Sequence, residues 1–323
     1  MKILVTGAAG FIGSHLSERL SDLGHTVVGL DCLNDNYTTA LKKLNVDDLA
    51  NKGVDVLPLD LSADDLSAAV EGVEIVYHAA AQPGISASVS FQTYVENNVT
   101  ATYRLIEALR SSDTLRAMVN ISTSSVYGFE ATQDETAETK PASYYGVTKL
   151  AAEQLALAHH RDQGFPACST RLYSVYGPRE RPEKLYPKLI GCILEDRAFP
   201  LFEGSEHHLR SYTYVGDIVD GLVAVMDNLD RCIGEIFNIG SDTAITTGEG
   251  IQTVEEIIGR QARIDHRPRR PGDQLKTHAK IDKARRVLGY NPSTPVEEGL
   301  RTTVTWYEER ILGKIDLWPE RLV

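Results

Sequence analysis

Lys2-Ile3-Leu4-Val5-Thr6 is a short, β-branched run that stops at Gly7-Ala8-Ala9-Gly10-Phe11-Ile12-Gly13. A helix-like segment from Ser14 to Leu23 follows, then a turn at Gly24-His25 and a second strand, Thr26 to Leu30, ending on Asp31. No other stretch constrains the fold as tightly. Strand, glycine turn, helix, strand and acid in that order form a dinucleotide-binding arrangement. Gly7 permits the tight turn, Gly10 lets the backbone approach a pyrophosphate, and Gly13 allows close helix–strand packing. The pyrophosphate sits against the helix N-terminus, next to Phe11 and Ile12, because unpaired N–H groups and the helix dipole favour an anion there. A glycine turn without a ligand is the competing reading, and the acid 18 residues after Gly13 argues against it. Asp31 also chooses the cofactor: a carboxylate at the end of the second strand accepts from ribose hydroxyls and repels a 2′-phosphate, so NAD is favoured over NADP. Asn34 and Asp35 follow in a polar loop that reaches towards the same ribose.

The pattern then repeats. Val54 to Leu57 reads as a strand ending near Asp60-Leu61, Ala63 to Val70 as a helix, and Glu74 to His78 as a strand. That strand ends in Ala79-Ala80-Ala81-Gln82-Pro83-Gly84, small residues at a strand C-terminus, where ligands of such sheets bind. Phe91 to Ser111 reads as one long helix carrying Asn97-Asn98, and Ala117 to Ile121 as a strand leading into Ser122-Thr123-Ser124-Ser125-Val126-Tyr127-Gly128. Strands alternating with helices, with no internal repeat, predict an α/β chain built on one doubly wound parallel sheet.

Ser143 to Ala152 reads as a helix start, with Pro141 and Ser143 before it. Tyr145 and Lys149 are four residues apart, so phenol and ammonium share a helix face. A cation about 5 Å away at an effective dielectric of roughly 20 favours phenolate by about 3 kcal/mol, or roughly two pKa units before any desolvation penalty. That would bring a phenol towards the range in which it removes a proton from an alcohol. Taken alone, the pair fits an exposed amphipathic helix equally well.

A net charge of -12 and a pI near 5.3 argue against a partner with a phosphate backbone. No apolar run has the length of a membrane span. Cys32, Cys168, Cys192 and Cys232 lack metal or redox spacing and read as reduced thiols of a cytoplasmic protein. The nine histidines show no metal-ligand pairing, so no metal is expected.

Gly-x-x-Gly-x-x-Gly with Asp31, the Ala79-Ala80-Ala81 strand end, Asn97-Asn98-Val99, Ser-Thr-x-x-Val-Tyr-Gly and Tyr-x-x-x-Lys, in this order and with these gaps, resemble an extended short-chain dehydrogenase/reductase. More narrowly, the chain is similar to the nucleotide-sugar epimerase/dehydratase group from Met1 to about residue 312. The resemblance implies a Rossmann-type domain over residues 1–176, rejoined by about 211–240, and a smaller substrate-binding lobe over 177–323. It implies that Tyr145 is the acid/base on the sugar hydroxyl, that Lys149 holds the nicotinamide ribose, and that Thr123 bonds the same hydroxyl as Tyr145. It adds Asp60, Leu61, Asn98 and Tyr173 to the cofactor set. Relatives that dehydrate the sugar carry Asp-Glu after the threonine, and decarboxylases carry a Glu before Val-Tyr-Gly. Here Ser124 and Ser125 stand in those places, and a hydroxyl takes no proton near neutrality as a carboxylate does. What remains is oxidation and re-reduction at C4 of a UDP-sugar, glucose/galactose or glucuronate/galacturonate, with decarboxylation or another nucleotide-sugar oxidation or dehydration as the alternative.

The same resemblance places Ser124 and Ser174 against the sugar and Arg181, in Gly-Pro-x-x-Arg-Pro, at its C6 end. A loop salt bridge from Arg181 to Glu180 or Glu183 is the competing reading. Ser86, where hexuronate relatives often carry Arg, and the acid at Glu180 both weigh against a C6 carboxylate. Arg210 and Arg270 match arginines that grip the diphosphate, although Ser211 replaces the usual Asp after Arg210. Leu185 to Leu194 and Pro200 to Phe202 are expected to line a uridine pocket. Val254 to Arg263, Lys280 to Leu288 and Val296 to Leu312 read as helices. Helices 91–111 and 146–160 are expected to build a homodimer through Val95, Val99, Leu150 and Leu155, faces that core packing would also explain.

Overall fold

The computed structural model describes residues 1–84, 89–269 and 274–317. Its centre is a parallel sheet of seven strands, in chain order β1 (Lys2–Thr6), β2 (Thr26–Leu30), β3 (Asp55–Leu57), β4 (Ile75–His78), β5 (Ala117–Thr123), β6 (Ala167–Leu172) and β7 (Ile236–Ile239). Their order across the sheet is β3-β2-β1-β4-β5-β6-β7, with Ile3 beside both Val27 and Ile75. The order reverses between β1 and β4, which opens a crevice at the strands' C-terminal ends. β4, β5 and β6 are buried along their whole length, as strands covered on both faces must be.

One apolar cluster joins Ile3, Val5, Leu16, Tyr77 and Val119 to Leu222 and Phe237, and a second joins Leu4, Val76 and Met118 to Leu105, Ile106 and Phe165. The chain does return to the sheet late. A helix at Val215–Asp227 packs on α1 (Phe11–Asp22), the Tyr77 hydroxyl donates to the Leu222 carbonyl at 2.8 Å, and β7 closes the sheet edge.

A third cluster gathers Tyr186, Leu189, Ile190, Val254, Leu300, Val304 and Tyr307 from the later helices and Tyr176 from the short strand Val175–Tyr176, and it takes in Tyr37 and Leu41 from the first half. Ion pairs tie these parts together. Arg179 reaches Glu18 at 2.8 Å and Asp48 at 3.0 Å, and Arg310 meets the other Asp48 oxygen at 2.9 Å.

Several elements depart from the sequence reading. The polar stretch after Asp31 contains a full helix, α2 (Thr39–Asn51), whose buried face includes Lys42 and Asn45 as well as Leu41 and Leu49. The helix expected from Ala63 forms only at Ser67–Val70, because Asp60 and Asp65 bind the backbone of Ser62 and Ser67 in local turns. The helix expected over 254–263 begins earlier, at Thr247–Ile258, where Thr246 and Glu249 form a capping box, and ends at Gly259 with φ 74°. Arg263–Arg267 is then a strand lying parallel to Ala198–Phe202.

Candidate active site

Three features converge at the crevice. The first is the glycine turn. Gly7 has φ 71°, and a Cβ on Gly13 would lie 2.1 Å from the Gly7 carbonyl oxygen, so both positions require glycine. Gly10 caps α1 without any side-chain hydrogen bond and no acid occupies the first turn, leaving the first N–H groups, Phe11 and Ile12 among them, open to an anion. Asp31 is buried, its carboxylate accepting from Ala9 N–H at 3.1 Å and Leu33 N–H at 2.9 Å. This cradle fits a dinucleotide. The structure adds a residue that sequence reasoning missed. Buried Lys42 stands 3.7 Å from the Asp31 carboxylate and donates to Asn34 Oδ1 at 2.7 Å. Asn34 is therefore engaged by the protein itself. The helix carrying Lys42 went unread because its buried face is partly polar.

The second feature is the end of β4. The Thr6 Oγ1 accepts from Ala80 N–H at 3.2 Å, and His78 Nδ1 lies 2.8 Å from that hydroxyl. On the far side Thr102 donates to the Asn98 carbonyl at 2.6 Å, so its oxygen accepts the hydrogen bond from His78 Nε2–H at 2.9 Å. The imidazole is thus neutral with hydrogen on Nε2 and an acceptor at Nδ1. Asn98 lies in a π-helical turn, Val95–Thr100, that interrupts the expected helix, with α-helix on either side at Phe91–Tyr94 and Ala101–Leu109. Its amide accepts from Gln82 N–H at 2.7 Å and donates to Thr148 Oγ1 at 2.9 Å, so it braces the strand end that carries Ala79, Ala80 and Ala81. Asp60 spends one carboxylate oxygen on the Ser62 N–H and hydroxyl, at 2.8 and 2.7 Å, and Leu61 lies buried beside it. Tyr173, expected in the cofactor set, is wholly buried in the main core beside Tyr127, and its N–H donates to the Ile239 carbonyl at 3.1 Å.

Burial, with the charge of Lys149 nearby, drives the His78 pKa down to about 3. Its folded pKa lies below the unfolded value, so the unfolded chain binds the proton first. Stability is therefore present above about pH 6.5 and lost as pH falls towards 3. At pH 5 this amounts to about 2 kcal/mol. Urea unfolding at pH 7 and pH 5 should show a drop about 2 kcal/mol smaller in His78→Gln than in wild type. An identical drop in both proteins would remove His78 from the acid response.

The third feature is the helix Tyr144–Gln163, here α3. Ser143 caps it, accepting from Gly146 N–H at 3.1 Å. A Cβ on Gly146 would lie 2.8 Å from the Ser125 carbonyl, so glycine lets the helix start close on the loop after β5. That approach brings Tyr145 beside Thr123, whose hydroxyl favours the phenolate, and Thr123 itself donates to Ser125 Oγ at 3.3 Å. Thr123 also accepts from Ser125 N–H at 3.1 Å, while Ser124 is buried alongside.

Electrostatics here correct the sequence expectation. Burial raises the Tyr145 pKa, offset only in part by the Thr123 hydroxyl and then by the charge of Arg181. Desolvation outweighs the neighbouring cations, and Lys149 is itself pulled down by burial to about 8, with Glu153 opposing. In the protein alone the phenol is therefore a protonated group.

On the opposite wall Arg181 binds Glu183 at 2.5 Å and passes over Gly84, where a Cβ would lie 2.8 Å from Nη2. It is both a salt-bridged residue and the cation nearest in effect to Tyr145. Glu180 is buried beside it, its carboxyl held well above the usual range and its Oε2 without a partner. Ser174 sits where β6 leaves the sheet, with φ 28°, a strained value for a serine. Arg210 Nη2 binds the Gln274 carbonyl, and its charge acts on Tyr212. Arg270 and Ser86 lie outside the described residues. Among the described residues no group of three or more His, Cys, Asp or Glu is placed to hold a metal ion, and no helix is long and apolar enough to cross a membrane.

Residues 3–240 match the NAD dependent epimerase/dehydratase family. The chain belongs to that family. It is 36% identical over 319 residues to the uncharacterized UDP-glucose epimerase YtcB of Bacillus subtilis (strain 168), covering 97% of this chain and 100% of that one. It is 33% identical to UDP-glucuronate 4-epimerase 2 of Arabidopsis thaliana, over 95% of this chain and 76% of that protein. Among solved structures, the UDP-glucuronic acid 4-epimerase of Bacillus cereus with UDP-glucuronic acid and NAD superposes with a TM-score of 0.91 at 37% identity, covering 96% of this chain and 99% of that one. The UDP-glucose 4-epimerase of Thermus thermophilus with NAD gives 0.86 at 29% identity, covering 96% and 100%.

Proposed function

We propose that this chain is an NAD-dependent UDP-sugar 4-epimerase. The observation that carries the reading is Tyr145, beside Thr123 and one helical turn from buried Lys149, at the same end of the sheet as an uncapped glycine cradle. NAD, when bound, supplies the hydride acceptor and its return. Gly7, Gly10, Phe11, Ile12 and Gly13 would hold its pyrophosphate, Asp31 its ribose, and Lys149 the ribose nearest the chemistry. Tyr145 takes the O4 proton while Thr123 fixes the direction of that hydroxyl, giving a 4-keto sugar. The sugar then turns within the site so that its other face is reduced, and Tyr145 returns the proton. Short side chains, Thr123, Ser124 and Ser174, leave room for that rotation. Arg210 and Arg270 would hold the diphosphate meanwhile. Ser124 and Ser125 supply no further acid or base, which supports epimerisation over dehydration or decarboxylation.

The sugar-binding part would comprise residues 177–323, apart from the segment around 211–240 that returns to the NAD-binding domain begun by 1–176. A cytoplasmic homodimer completes the reading. Phe91, Tyr103, Tyr144 and Val147 are 45%, 47%, 59% and 43% exposed on adjoining helices, an apolar face suited to a second copy. Val95, Val99, Leu150 and Leu155 are half-buried in the single chain, and the last two already pack on its cores.

Incubation with UDP-glucose and UDP-glucuronate separately, followed by NMR of the C4 configuration, tests the activity. One sugar or both should reach a mixture of C4 epimers without net NADH. Carbon dioxide release or accumulating NADH would point to the alternative chemistries, and no product from either sugar would remove the assignment.

A further inference from the structure

Below Lys149 on the same helix stands an ion pair with no part in the mechanism so far. Glu153 is 0% exposed, and Arg171 of β6 binds it with two prongs, Nε to Oε2 at 3.0 Å and Nη2 to Oε1 at 2.6 Å. The Ser169 hydroxyl adds a 3.5 Å contact to Oε2. Arg171 is itself fixed, donating to the Tyr127 hydroxyl at 2.7 Å and stacking its guanidinium on that ring at 4.8 Å. Tyr127 in turn donates to Asn238 Oδ1 at 3.0 Å, so the network crosses from the helix to the sheet's last strand. The carboxylate thus has one orientation. A buried ion pair gives no net stability over apolar packing as a rule, so its placement calls for another reason.

Its position relative to Lys149 supplies one. Residues 149 and 153 are four apart on one helix face, and both are buried. Among the described residues the titratable groups coupled to Lys149 are Glu153, on its own helix, and neutral His78, from β4, with Tyr145 one turn earlier on the same helix. Arg171 approaches Glu153 from the sheet side. Glu153 is therefore the counter-charge for an ammonium that burial would otherwise discharge.

We propose that Glu153, oriented by Arg171, is the positioning residue that keeps Lys149 an ammonium. The kinetic part of this inference rests on the epimerase reading, whereas the titration part does not. Supporting it, Lys149 is drawn down to about 8 by desolvation, and Glu153 is the charge that holds it from falling further.

The test titrates Lys149 directly, from the 13Cε shift of labelled lysine, with its signal assigned by its absence from Lys149→Met. Three variants are compared with wild type. Glu153→Gln removes the charge, Glu153→Gln with Arg171→Met removes the pair without stranding the arginine, and Glu153→Asp keeps the charge but withdraws it. Lys149 should titrate at least about one unit lower in Glu153→Gln, and less far down in Glu153→Asp and in the double variant, which also loses the guanidinium charge that opposes the ammonium. In Glu153→Gln the alkaline limb of the epimerase pH profile should move with it, leaving rates near wild type at pH 6 and about fivefold lower at pH 8. Folded variants with an unmoved lysine titration would overturn the proposal. So would loss of the fold in all three, since the pair would then serve folding alone. A shifted titration with no epimerase activity in wild type would leave the positioning role standing and remove the reaction instead.

Discussion

Tyr145→Phe yields a folded, NAD-binding protein whose turnover of its UDP-sugar is lower by about 10²- to 10⁴-fold, the usual contribution of a positioned acid/base. The ring keeps its half-buried place, so the loss is confined to one oxygen beside Thr123. Structure sharpens what that oxygen must do. Burial holds the phenol protonated in the protein alone, and a phenol so held is poised to give a proton as well as to take one. Its conversion to a base depends on positive charge at the site, from Lys149 and from the oxidised cofactor. The comparison is made on initial rates, with circular dichroism and NAD titration alongside. Activity within tenfold of wild type would show that the proton leaves by another route.

Gly13→Ala is expected to weaken NAD binding by at least about 100-fold, roughly 2.7 kcal/mol. The new methyl would lie 2.1 Å from the Gly7 oxygen and 2.8 Å from its carbonyl carbon. Both are backbone atoms of the turn that receives the pyrophosphate, so relief comes only by moving α1 away from β1. That motion withdraws the same N–H groups the anion needs. Calorimetric titration of NAD decides it, and an affinity within threefold of wild type would show that the cradle tolerates the shift.

The glycine turn and the helix that carries Tyr145 and Lys149 were legible in the sequence because their signals are local. Glycine spacing, the acid closing β2 and the four-residue step from Tyr145 to Lys149 are each set by a few adjacent residues, and the strands from Thr26 to Leu30 and Ile75 to His78 fell almost where read. What the sequence hid is long-range. Lys42 and Asn45 face inward because Asp31, Asn34 and the Ala9 carbonyl wait for them, so a helix lacking an apolar stripe still folds. The π-turn at Val95–Thr100 follows no local pattern and aims Asn98 at Gln82 and Thr148. The phenol's pKa was misjudged for a related reason. Coulomb attraction can be counted from spacing, whereas desolvation depends on everything packed around the ring. Arg181 makes the salt bridge to Glu183 that spacing allowed, and its charge also acts on Tyr145, which spacing did not reveal.

Reversible removal of one hydrogen from C4 is best tested with UDP-sugar carrying deuterium at that carbon. Lending and return within a closed site predicts that both epimers keep the deuterium at C4, with no exchange into water and no free NADH. Deuterium lost to solvent, or epimers formed with the label moved to another carbon, would contradict the account.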